Sequence, residues 1–127
     1  MNAAHSLVIV LANGSETDLE AAVLAFRYAE TAAAMDFSVE IHVVGKAVDL
    51  FSKRHRDSNR GVHGHALSPT QRLRSANELG VKLFVCSAAM AGANLLEDDL
   101  IEEVSGVRGA ASLLSAGMAP NARLLTF

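Results

Sequence analysis

Leu7-Val8-Ile9-Val10-Leu11, followed at once by Ala12-Asn13-Gly14-Ser15, decides the reading of the fold. Five β-favouring apolar residues stand in a row with no polar residue between them. A strand with one wet face alternates; an unbroken run belongs to a strand covered on both faces, as in a parallel sheet. Asn13-Gly14-Ser15 turns the chain, and Ser15 with Asp18 three residues on predicts a helix N-cap with a supporting carboxylate. Leu19, Val23, Phe26 and Ala29 then recur at helical spacing, so the helix runs to about Met35.

The same alternation of strand and helix continues outward. Val39 to Val44 reads as a second strand, in which Val39, Ile41 and Val43 alternate with Glu40 and His42. That alternation predicts a less fully buried strand, nearer an edge. Ala47 to Phe51 predicts a short helix, and residues 53–61 a long loop. Ser68-Pro69-Thr70-Gln71 has Ser at the N-cap, Pro at the first helical position and Gln at the capping-box position, and the helix ends at Gly80. Val81 to Val85 is a third strand with Cys86 directly after it. Ser87 to Ala93 predicts a short helix of small residues, Leu96 to Val104 an acidic amphipathic helix, and Gly106 and Gly109 bracket a short turn or strand near Val107. Ala110 to Met118 is a further helix and Arg123 to Phe127 a final strand. The expectation is one α/β domain over residues 1–127, three-layer αβα and flavodoxin-like, with a mainly parallel sheet of about five strands. Sites in such sheets form at the carboxyl ends of the strands, where Cys86 and Asn13-Gly14-Ser15 both fall.

Half of the 127 residues are hydrophobic, enough for one core, and the formal net charge is -3. An acidic balance offers no global attraction to nucleic acid, and none is expected as a partner. A single cysteine makes no intramolecular disulfide, which favours a cytoplasmic, reducing location. The longest uncharged stretches, such as Leu83 to Leu96, fall short of the ~20 residues that span a bilayer, so no membrane role is expected. The run Leu7 to Ala12 has no Lys or Arg before it and reads as a strand rather than a signal-peptide core.

Chemistry centres on Cys86. A thiol acts as a nucleophile only as thiolate. If a helix begins at Ser87, backbone N–H groups and the helix dipole face the sulfur, and the small residues Ser87, Ala88 and Ala89 leave room beside it. The competing reading is a buried core cysteine. Ser87, Asn13 and Met90 are candidate pocket residues, with helix capping and core packing as the plainer roles of the last two. Lys53, Arg54, Arg56 and Arg60, with His55, His63 and His65, gather positive charge in one loop. Arg60, His63 and His65 are candidates for covering the strand ends and binding an anionic sulfur species; the alternative is a solvated loop. Three histidines on a loop have no fixed geometry, so no metal is assigned, and no cofactor is expected.

Val81 to Met90, with its cysteine at the strand end, resembles the corresponding segment of the DsrE/DsrF-like family. So do Leu96 to Ile101, Val107, Gly109 to Leu114, the closing Leu124-Leu125-Thr126-Phe127, and the opening strand with its Ala-rich helix. The resemblance implies a compact α/β fold, homo-oligomers (dimer, trimer or hexamer), and a sulfurtransferase or sulfur-carrier role for the cysteine matching Cys86. Sulfur arrives there as a persulfide or thiosulfonate and leaves to a partner protein or small thiol. A non-catalytic binding or assembly module with a structural cysteine is the alternative.

Overall fold

In the computed structural model, which describes residues 5–54 and 68–127, the apolar run near the N-terminus forms β1 (Ser6–Leu11). It is followed by α1 (Glu20–Ala34), β2 (Ser38–Val43), a 3-10 segment (Gly45–Phe51), α2 (Pro69–Glu78) and β3 (Lys82–Cys86). Then come α3 (Ser87–Gly92), β4 (Gly106–Arg108), α4 (Ala110–Gly117) and β5 (Ala122–Thr126). The strands form one five-stranded sheet in the order β4-β3-β2-β1-β5, and every pair is parallel. The α/β class and the parallel sheet therefore stand as the sequence predicts.

The unbroken apolar run of β1 is explained by its place. It is hydrogen-bonded on both sides, Ile9 pairing with Ile41 of β2 and Leu125 of β5. Ile9 and Leu11 face α1, whose Ala22, Ala25, Phe26, Ala29 and Ala32 form one buried stripe. Alanines at these positions let the helix lie close to the sheet, and Phe26 fills the space between. Val8 is also buried, on the opposite face. There Leu124 of β5, its register partner, lies against α4, since a Cβ added to Gly117 would come within 2.6 Å of Leu124 Cδ1. Helices thus cover both faces, α1 and α2 on one and α4 on the other, and the two layers are unequal. No residue of α4 is buried, and Leu114, Met118 and Leu124 are exposed.

Three local expectations are corrected. β2 is not near an edge; it lies between β1 and β3. Its polar residues face the second side of the sheet, where His42 is buried, bonded through Nε2 to Glu40 at 2.9 Å and tilted against the Phe84 ring at 5.4 Å. The first helix starts later than Ser15. Ser15 and Asp18 instead exchange backbone hydrogen bonds in a tight turn, and it is the Asp18 carboxylate that accepts from the Glu20 N–H. The acidic stretch from Leu96 makes only a 3-10 turn, Glu97–Asp99: Asp99 accepts from the Leu96 N–H at 2.8 Å, as at a helix start, but Leu100 takes an extended backbone and Leu100 and Ile101 turn inward. Ile101 N–H donates to the Phe51 carbonyl, which draws the chain away from a helical path.

The start of α2 matches its sequence signal in detail. Ser68 Oγ accepts from the Gln71 N–H at 3.2 Å, and the Gln71 side chain accepts from the Ser68 N–H at 2.9 Å. Ser68→Ala removes one half of this reciprocal pair and leaves the helix an unsatisfied donor. The expected cost is about 1 kcal/mol, read as a lower urea midpoint with an unchanged slope.

Candidate functional site

The carboxyl ends of the strands gather the loop after β1, the turn after β2 and the start of α3. Between them lies a cavity of about 640 Å³, lined among others by Gly14, Ser15, Gly45, Lys46, Ala89 and Gly92. Gly14 (φ +138°) and Gly45 (φ +57°) give the two loops conformations that side chains disfavour, and a Cβ on Gly14 would meet Leu50 Cδ1 at 3.0 Å. Asp49 and Arg54 also border the cavity and pair with each other.

Cys86 is the last residue of β3 and the N-cap residue of α3, and it is half-buried. It makes no side-chain capping hydrogen bond, so the expected N–H cradle around the sulfur is not formed. With six residues, α3 is also too short to supply much of a dipole. Instead the side chain faces the second side of the sheet. Alternation along β3 puts Leu83 and Val85 in the core and Phe84 and Cys86 on the other face. The register partner of Cys86 is Arg108 at the end of β4. The Arg108 guanidinium lies 4.4 Å over the Phe84 ring and donates a long bond of 3.4 Å to Ser112 Oγ. Ser87 is exposed beside them, and a Cβ on Gly109 would lie 3.6 Å from its hydroxyl.

The other predicted residues do not converge on the thiol. Asn13 is exposed after β1, with β2 between it and β3, so two strand spacings of about 5 Å each separate their backbones. Met90 is buried in the core cluster and is not among the cavity-lining residues; its side chain packs rather than lines. Arg60, His63 and His65 lie outside the described residues, as does His55. Among the described residues no group of three or more His, Cys, Asp or Glu is arranged to hold a metal ion. No helix among them is long and apolar enough to cross a membrane. Arg108 is the residue that the sequence reading did not single out. Its signal was a lone arginine closing a short strand between Gly106 and Gly109.

A family model described as DsrE/DsrF-like matches residues 6–127. The chain belongs to the DsrE/DsrF-like family. That is a family of sulfur relay, and its partners are sulfur-relay partners. The DsrE-like fold is seen directly in solved structures. The YchN protein from E. coli matches with a TM-score of 0.75 at 17% identity, over 96% of this chain and 99% of that one. MTH1491 from Methanobacterium thermoautotrophicum, a protein of unknown function, matches with a TM-score of 0.67 at 18% identity, over 97% and 99%. BT1422 from Bacteroides thetaiotaomicron, also of unknown function, matches with a TM-score of 0.66 at 12% identity, over 96% and 95%. No curated protein matches this DsrE-like chain.

Proposed function

We propose that this chain is one DsrE-like domain over residues 1–127 that accepts sulfur on Cys86 and passes it to a partner thiol. The observation that carries the reading is a half-buried cysteine at the carboxyl end of an inner parallel strand, in a chain of this family. In the first step the Cys86 thiolate attacks the outer sulfur of a donor persulfide. A new S–S bond forms on Cys86, the donor's S–S bond breaks, and the donor thiolate leaves with the electron pair. In the second step an acceptor thiolate attacks the outer sulfur on Cys86 and restores its thiolate. The chain has no second cysteine to resolve the adduct, so the acceptor is another molecule, a protein or a small thiol. Such chemistry fits a reducing, cytoplasmic setting.

Intact-mass spectrometry after treatment with a persulfide donor tests this. The expected result is a gain of one sulfur atom, mapped to the peptide containing Cys86 and lost on adding an acceptor thiol. A well-folded chain that gains nothing sinks the proposal. The alternative, a binding module with a structural cysteine, predicts a thiol that is slow to alkylate and partner binding that survives Cys86→Ser.

Homo-oligomerisation belongs to the same proposal. Its support is the thin second layer: Leu114 is 55% exposed on a helix with no buried residue, and Met118 directly after that helix is 78% exposed. Single exposed apolar residues are ordinary, but these adjoin exposed Leu124 on the same side of the sheet. Light scattering on Leu114→Glu/Met118→Glu is expected to show a smaller particle than the parent chain at equal concentration. A parent chain that is already monomeric would remove this part of the reading.

A further inference from the structure

We propose that a groove between the flank of α1 and β5 binds a small amphipathic carboxylate, with Arg123 holding its head and apolar walls its tail. The site is independent of Cys86. It lies at the other end of the sheet, where β1 and β5 begin.

The strand order creates the groove. The crossover from β1 to β2 lays α1 over those two strands. β5 lies beyond β1, and the helix that leads to it, α4, covers the opposite face. The face of β5 on the α1 side is therefore left bare. Leu125 there is 41% exposed, and Tyr28 on α1 and Met35 at its end are exposed beside it. Between them is a cavity of about 420 Å³. That is the scale of a small-molecule site, roughly 300–1,000 Å³.

The walls are braced from within the chain. Tyr28 stacks on Phe127 with ring centroids 5.6 Å apart, and His5 meets Phe37 edge-on at 5.7 Å. Leu7, Ala32, Met35 and Leu125 extend the apolar lining.

The charge of the lining is one-sided. Arg123 and His5 border the groove, and no Asp or Glu does among the described residues, although the chain as a whole is acidic. Arg123 donates through Nη1 to the Ala122 carbonyl at 2.9 Å and pairs with no carboxylate among the described residues. The rest of its fork is left for an anion. An apolar body with a carboxylate head answers both halves of the lining. A second copy of the chain is the rival occupant, and charge disfavours it. An isologous contact sets each patch against itself. It would bring two Arg123 guanidinium groups into one apolar interface, with no carboxylate of either lining to offset them.

Decanoate, kept below its micelle-forming concentration, is the probe, and decanol is the same body without the charge. Tyr28 is the only tyrosine and the chain has no tryptophan, so tyrosine emission reports on the groove itself. Titration with decanoate is expected to shift that emission saturably, and decanol to bind more weakly. Arg123→Gln is expected to weaken decanoate about fivefold to tenfold and leave decanol unchanged. Arg123→Lys keeps the charge and is expected to recover part of the loss. Decanol binding as tightly as decanoate overturns the proposal, and so does equal decanoate affinity in the parent and Arg123→Gln. A chain that ignores decanoate, and whose particle size in light scattering falls on Leu125→Glu, has a second copy in the groove, which also overturns it. A chain that ignores decanoate with no change in size overturns it as well.

Discussion

Cys86→Ser is expected to gain no sulfur from any donor, a complete loss rather than a partial one. The sulfur is the attacking atom and the atom that carries the adduct, and the chain has no other cysteine to substitute for it. A serine hydroxyl in its place is almost wholly protonated at neutral pH and is a poor nucleophile without an adjacent base. The substitution is structurally mild. Cys86 is half-buried, caps no N–H of α3 and bridges no other cysteine, so the fold loses little more than one small polarizable atom. The thermal midpoint is expected to move by less than the equivalent of about 1 kcal/mol. The pair of measurements matters: lost uptake with an unchanged melt assigns the chemistry to the sulfur atom. A mass gain surviving in Cys86→Ser would assign it elsewhere in the chain.

Phe51→Ala is expected to be the most damaging of these substitutions to stability, by about 3–5 kcal/mol. Phe51 is fully buried and packs edge-on against Phe26 of α1, with ring centroids 6.1 Å apart. It therefore ties the 3-10 segment after β2 to the helix layer. Its carbonyl accepts from Ile101, and the next residue, Ser52, bridges to Leu100. Three separate stretches thus meet around Phe51, α1 at its ring and the Leu100–Ile101 stretch at the backbone. Removing the ring leaves a cavity lined by parts of the chain that are each held by other bonds, so collapse into the space is restricted. A chain of this length would lose roughly 10–20 °C in thermal midpoint. A loss below about 1 kcal/mol would mean that the turn after β2 relaxes freely into the space.

Leu7 to Leu11 and Ser68 to Gln71 were readable because their signals are local. An unbroken apolar strand has few places to go, and a capping box is closed within four residues. Glu40 and His42 misled because alternation records side-chain polarity, not water. His42 stays dry by bonding Glu40 on its own strand and meeting the Phe84 ring, and the second contact arises only when β2 and β3 pair. Leu96 to Val104 has a helical pattern, yet Leu100 takes an extended backbone and Ile101 bonds the Phe51 carbonyl, so the helix ends after one turn. At the site, the strand-end position of Cys86 could be read from its flanking residues. Arg108 could not, because its meaning depends on the register between β3 and β4, which no residue of either strand announces.

The strand order has a kinetic side. β5 is the last strand in the chain and pairs only with β1, the first, Ser6 lying opposite Ala122 more than a hundred residues later. The other three strand pairs join neighbours in sequence, β1 with β2, β2 with β3 and β3 with β4. Their loops are shorter and cost less entropy to close. During synthesis those four strands can zip from one side, while β1 keeps a bare, apolar flank until the closing segment emerges. The newborn chain is most adhesive in that interval, with a row of unpaired backbone groups open to the wrong partner.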